Sequence, residues 1–228
     1  MGAFENSLAS AIPTIVSLTS SANNGTYRLG DVISIMVTFT EPVSVTGAPQ
    51  LTLETGTTDA VVNYTSGSNT TVLTFTYTVA IGDTSSDLDY ADTTSLALNS
   101  GTIVDLSANA AVLTLPVPGA TNSLGANKAL VVDGVVPATP TGFAATDGNT
   151  SIILGWTANT ESDIGSYKIY ADTSSSPIIP LITIGSSMQS YTHSGLINGK
   201  TYYYRISAMD AAGNESAKSS DISKAPKP

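Results

Sequence analysis

The chain has 228 residues, rich in serine (30), threonine (32), glycine (19) and proline (11), with only 11 % charged residues. That size suits one large or two ordinary domains, and the composition favours many strands joined by polar turns. Eighteen acids against eight bases leave a net charge of −10, and there is no cysteine. The first repels phosphate backbones and anionic lipid, so nucleic acid is not an expected partner; the second excludes disulfides and every thiolate site.

No apolar run approaches the roughly 18 residues of a membrane span, so no membrane insertion is expected. The N-terminus, Met1-Gly2-Ala3-Phe4-Glu5-Asn6, lacks the basic start and apolar core of a signal peptide. It reads as the start of a piece cut from a longer chain, with neighbouring domains as its first partners. Residues 1–11 show no period and are expected to be disordered.

From Ile12 the pattern turns to strands. Thr14–Leu18 is an entry strand, followed by a polar turn at Ser20–Gly25. Over Asp31–Thr40, Ile33, Ile35, Val37 and Phe39 alternate with Ser34, Met36, Thr38 and Thr40, the period of a half-buried strand. Glu41-Pro42 is expected to end it, because proline cannot donate to a ladder. Shorter strands are expected at Gln50–Glu54 and Ala60–Tyr64. Thr71–Ala80 repeats the strong alternation with Leu73, Phe75, Tyr77 and Val79, and it is expected to face the Ile33–Phe39 strand across a sandwich. Further strands are expected at Ser95–Leu98, Thr102–Asp105, Ala111–Leu115 and Lys128–Asp133.

The chain changes character at Asp133-Gly134-Val135-Val136-Pro137-Ala138-Thr139-Pro140. Residues 1–135 carry 11 acids against Arg28 and Lys128, whereas residues 136–228 carry seven acids against six bases. Two prolines fix φ and withhold two donors, so residues 135–140 read as a short, stiff linker. Beyond it, Ile152–Trp156 and Ser166–Tyr170 read as strands, and Tyr202, Tyr204, Ile206 and Ala208 alternate along a third.

Two resemblances follow from these stretches. Gln50–Gly56, Gly82–Tyr90, Gly101–Asp105 and Gly125–Gly134, in that order, resemble the Ig-like repeats of giant bacterial surface proteins. Trp156, the Tyr167–Tyr170 strand and Leu196 six positions before Tyr202 resemble a fibronectin type III domain, whose tyrosine corner ties an inter-sheet loop to the backbone. The expectation is an all-β chain of two tandem β-sandwich domains: an Ig-like one over 12–134, a linker over 135–140, and a fibronectin type III one over 141–226. The resemblance implies an extracellular, cell-surface setting and an adhesive or structural role, with any protein or glycan ligand held by loops. An alternative is an accessory or carbohydrate-binding piece of a secreted polysaccharide-degrading enzyme. No Arg-Gly-Asp tripeptide occurs, so integrin recognition is not implied.

Little in the chain suggests a reaction. His193, the sole histidine, has Ser190 and Ser194 nearby, but no Gly-x-Ser-x-Gly elbow exists and an edge-strand position is the ordinary reading. A carboxylate pair for glycoside hydrolysis is not settled by spacing, yet no long loops suggest a cleft. The densest polar cluster is Asp83, Asp87, Asp89 and Asp92. Crowded carboxylates either cap turns or share a cation, so Ca2+ is a candidate cofactor there and at Asp133 beside the linker. The spacing is not that of an EF-hand. Lys128, alone in its half, lies late in the module for an internal isopeptide bond. Sequons at Asn24, Asn63, Asn69, Asn149 and Asn214 are those a Ser/Thr-rich chain generates by chance. Tyr170, Tyr191 and Tyr203 are candidates for stacking on sugar rings, against the reading that they pack in the core.

Overall fold

The computed structural model describes residues 11–228, so the segment expected to be disordered lies outside the described residues except for Ala11. The chain is all-β apart from a single helical turn among those residues, and it divides into two compact units between Gly134 and Val135.

The first unit contains β1 (Ile15–Ser20), β2 (Gly25–Arg28), β3 (Val32–Thr46), β4 (Gln50–Leu53), β5 (Ala60–Ser66), β6 (Thr70–Thr78), β7 (Thr84–Ser85), β8 (Leu96–Ala97), β9 (Thr102–Val104), the turn of helix α1 (Leu124–Asn127) and β10 (Leu130–Asp133). One sheet runs β1-β3-β6-β5-β4-β8, with β9 paired to the far end of β3. The other runs β2-β10-β7, where β2 and β10 are parallel. Between them lies one core that includes Ile33, Ile35, Val37, Leu73, Phe75, Tyr77, Leu130 and Val132, all buried.

Two expectations about this unit are corrected. The strands carrying Ile33–Phe39 and Leu73–Val79 do not face one another across the core. They are antiparallel neighbours in one sheet, with Ile33 opposite Tyr77, Ile35 opposite Phe75 and Val37 opposite Leu73. A period of two says which face is buried, and two strands sharing a face satisfy it as well as two facing strands do. Nor does Pro42 end its strand. β3 continues to Thr46, and its register with β6 slips between Thr38 and Val43. The irregularity places the residue that lacks an N–H where no ladder bond is required, and the strand then turns to pair with β9. Ala111–Leu115 forms no strand: Val112 makes an isolated bridge to Thr14, and Ala110, just before the segment, makes another to Val104.

β5 serves two partners. Ala60–Asn63 pairs with β4, whereas Tyr64 and Ser66 pair with β6. The first half of β5 therefore leaves Thr76–Thr78 of β6, and a trough of about 590 Å3 opens where they part.

The second unit contains β11 (Thr141–Gly148), β12 (Ser151–Thr157), β13 (Ile164–Asp172), β14 (Pro180–Gly185), β15 (Ser190–Ser194), β16 (Tyr202–Asp210) and β17 (Ile222–Lys224). Its sheets run β11-β12-β15 and β14-β13-β16-β17, so β14 and β15 are edge strands. Ile152, Leu154 and Trp156 from one sheet pack on Tyr167, Ile169, Tyr204 and Ile206 from the other. The Trp156 and Tyr167 rings meet edge to face at 5.4 Å, a geometry that matches the ring quadrupoles. Residues 138 and 139 are bound to this unit: Ala138 N–H donates to Glu161 Oε1 at 2.7 Å, and Thr139 Oγ1 donates to the Ala217 carbonyl at 3.1 Å.

Candidate functional sites

The acidic loop after β6 uses its carboxylates on its own backbone. Asp83 Oδ2 accepts from the Tyr77 hydroxyl at 2.7 Å and from Ala80 N–H at 2.9 Å, holding the turn that ends β6. Burial, then this bond and the carboxylate's charge, push the Tyr77 phenol far above its ordinary range. Gly134 locks the same turn from the last strand: its N–H donates to Asp83 O at 2.7 Å, and a Cβ there would stand 2.1 Å from Ala80 O. Asp87 Oδ1 accepts from Leu130 N–H at 3.3 Å. Asp89 is buried, takes Tyr90 N–H on Oδ1 at 3.0 Å and takes Gly119 N–H on Oδ2 at 2.9 Å. Asp92 Oδ1 accepts from the Thr94 hydroxyl and N–H, which with Ser95 Oγ hold its carboxyl below the usual range.

Asp133 lies in β10, opposite Thr84 on β7 and Arg28 on β2. Asp87 and Asp89 both approach Gly125, their Oδ2 atoms 3.6 and 3.0 Å from where its Cβ would be. No three of Asp83, Asp87, Asp89, Asp92 and Asp133 bring carboxylate oxygens within 4.8 Å of one another. Ca2+ takes six to eight oxygens, and Asp83, Asp87, Asp89 and Asp92 each already accept from neutral donors.

Other expectations resolve residue by residue. Lys128 Nζ donates to the Ala22 carbonyl at 2.7 Å. Asn214, one of the five sequons, is buried with its amide donating to Asp210 Oδ2 at 2.8 Å, which leaves no route for a glycan. Tyr170 is corrected as a sugar platform. It is buried, its hydroxyl donates to Glu215, and the Lys218 ammonium sits 4.5 Å from the ring centre. Tyr191 and Tyr203 are half-buried.

Sequence reasoning missed the network around Glu215. Its Oε1 accepts from Tyr170 and from Ser207 Oγ, and its Oε2 accepts from Lys168 Nζ at 2.7 Å. Burial alone would raise this carboxyl, but the Lys168, Ser207 and Tyr170 donors outweigh it and bring it down to about 2. It missed a paired turn as well. Asp105 Oδ1 accepts from Ser107 and Asn109 N–H, and its Oδ2 accepts from the Asn109 amide. Asp210 Oδ1 accepts from Gly213 and Asn214 N–H, and its Oδ2 from the Asn214 amide. The signal was an Asp followed four residues later by Asn, a spacing that Asp59 and Asn63 also have.

The tyrosine corner is formed. Leu196 is buried, and the Tyr202 hydroxyl accepts from Ile197 N–H at 3.2 Å. Beside it, His193 on β15 turns Nδ1 to the Tyr204 hydroxyl at 2.9 Å. Neither Ser190 nor Ser194 is hydrogen-bonded to its ring. Burial lowers the imidazole's pKa and raises that of the Tyr204 phenol. Tyr204 is fully buried and, among the described residues, its hydroxyl bonds only to His193, so its proton is satisfied only if it donates to Nδ1. The ring proton then belongs on Nε2. Next to His193, at the open edge between β14 and β15, lies a groove of about 330 Å3 bounded by Asp172, Thr173, Ile179, Leu181 and Tyr202.

Comparison with known proteins places the second unit. Residues 138–224 match the family model of the fibronectin type III domain, and the second unit is a fibronectin type III domain. The chain is 29 % identical to chitinase A1 of Niallia circulans over 237 aligned residues, covering 96 % of this chain and 28 % of the chitinase. It is 35 % identical to exoglucanase B of Cellulomonas fimi, over 40 % of this chain and 8 % of that enzyme. Among solved structures, an Fn3-like protein from Clostridium thermocellum is 30 % identical with a TM-score of 0.35, covering 41 % of this chain and 97 % of the other. The chain thus spans well under a third of these two enzymes' length.

Proposed function

We propose that the two units are non-catalytic spacer modules of a secreted, multidomain bacterial protein that acts on polysaccharide. One observation carries this: similarity to a chitinase runs across both units while covering 28 % of that enzyme. The fibronectin type III domain is a non-catalytic module, and the carboxylates of the acidic loop after β6 accept bonds from neighbouring hydroxyl and N–H groups. Residues 135–140 act as the connector, and neighbouring domains supply the reaction and its substrate.

An adhesive role on a cell surface is the second reading, favoured by the order of motifs through Gln50–Gly56, Gly82–Tyr90 and Gly125–Gly134. The full reading frame separates the two. A catalytic domain beside this piece supports the accessory role, whereas a long array of similar repeats without one supports adhesion. Both readings fail if the purified chain turns over a panel of chromogenic glycosides and esters.

A further inference from the structure

We propose that the groove between edge strands β14 and β15 of the second unit binds one neutral pyranose ring of a polysaccharide chain. The inference rests on the polysaccharide setting above and adds a site to it. At about 330 Å3 the groove is small, near the lower end of the roughly 300–1,000 Å3 typical of ligand pockets. A sugar ring needs an apolar wall for its C–H face and hydrogen-bonding groups around its rim, and this groove has both.

The wall is the Tyr202 ring with Ile179 and Leu181. Ile179 is 70 % exposed and its neighbour Ile178 75 %, so two adjacent branched side chains face water at an edge where folding does not require them. The rim has three kinds of polar group. His193 offers Nε2–H, because its Nδ1 is committed to Tyr204 on the core side of the ring. Asp172 uses Oδ1 to accept from Thr173 and Ser174 N–H, so its Oδ2 is open to a sugar hydroxyl. The Thr173 hydroxyl can donate or accept. The carboxylate disfavours a uronic acid. Lys200, whose ammonium lies 5.8 Å from the Tyr202 ring centre, is not among the groove's bounding residues and does not offset it.

The test is a 15N NMR titration of the full chain with a cello-oligosaccharide, a chito-oligosaccharide and an oligogalacturonate. Saturable shifts at residues 171–173, 179–181, 193 and 202 are expected with one of the neutral oligomers, with a dissociation constant on the order of 1 mM. Asp172→Ala and Ile179→Ala, both at exposed positions, should each weaken binding about tenfold with melting unchanged. The proposal is overturned if nothing moves at about 10 mM sugar, if the shifts lie elsewhere, or if the galacturonate binds as tightly. It is equally overturned if these residues shift with protein concentration alone, which would make a second copy the occupant. A catalytic domain in the reading frame without sugar shifts removes this site and leaves the spacer role. Sugar shifts without a catalytic domain do the reverse.

Discussion

The two units neutralise their acids in different ways. In the first, Asp83, Asp89, Asp92 and Asp105 are held by backbone N–H groups and hydroxyls. In the second, Glu215 meets Lys168, Asp221 meets Arg205, and Asp147 meets Lys224 and Lys227. The first unit has 11 acids for two bases, so it lacks the cations for that solution. Neutral donors fix a carboxylate's geometry without cancelling its charge, leaving a unit that is locally satisfied and globally self-repelling. Ion pairs cancel charge, but at the exposures seen here, 23–35 % for most partners, each contributes little and is screened by salt.

Breaking a core should show first whether the units differ only in electrostatics. Phe75→Ala is expected to cost the first unit about 3–5 kcal/mol, since Phe75 is fully buried. Trp156, the chain's only tryptophan, reports the second unit alone, so its emission should melt at the same temperature as before. A shift of both transitions would mean one cooperative core rather than two.

The paired turns sharpen the comparison, because here the units use one device. Asp105→Ala and Asp210→Ala each remove a buried carboxylate that accepts three hydrogen bonds. Each should cost about 2–3 kcal/mol in chemical denaturation, and the two losses should be similar. If only one matters, the shared geometry is incidental.

Acid should separate the units again. Glu215 has a folded value of about 2, below its ordinary 4.5. Its contribution is therefore fully present above about 4.5 and is lost as pH falls through 2. Burial lowers His193 from 6.5, so its contribution holds above that value and declines as pH drops below it. Glu215→Gln should flatten the low-pH limb of the Trp156-detected melting curve. Adding salt at neutral pH should raise the first unit's transition and leave the second's nearly unmoved, since only the first is dominated by like charge.

The smallest effect concerns calcium. Asp87→Asn should leave any response of melting temperature to millimolar Ca2+ unchanged, because no three of the loop's carboxylates converge. A response that this substitution abolished would make the acidic loop a metal site.

How far the chain could be read depended on range. The alternation through Ile33–Phe39 and Leu73–Val79 gave the buried face directly, and Trp156 with Leu196 and Tyr202 marked the second unit, because these are local patterns. What escaped was pairing. Nothing in a period of two says that Ile35 lies beside Phe75 rather than opposite it, nor that β5 divides its edge between β4 and β6. Glu215 was invisible for the same reason, since Lys168 and Tyr170 reach it from a strand more than 40 residues away. The sugar groove is a limiting case: Asp172, Ile179, His193 and Tyr202 come from four separate stretches. Of the tyrosines flagged at the outset, Tyr170 is buried against Glu215, whereas the ring that borders the groove is Tyr202.

The Asp–Asn turns also bear on how the protein ages. An asparagine loses its amide when the next residue's nitrogen swings onto its side-chain carbonyl, and a following glycine makes that swing easiest. Asn109 and Asn214 have their carboxamides pinned by Asp105 and Asp210, which withholds that motion. Asn24 and Asn198 precede Gly25 and Gly199; their side-chain oxygens accept from Ala129 and Thr150 N–H, but no carboxylate among the described residues clamps them. Chemical wear in storage should therefore begin at those two positions and leave the turn that each unit shares intact longest.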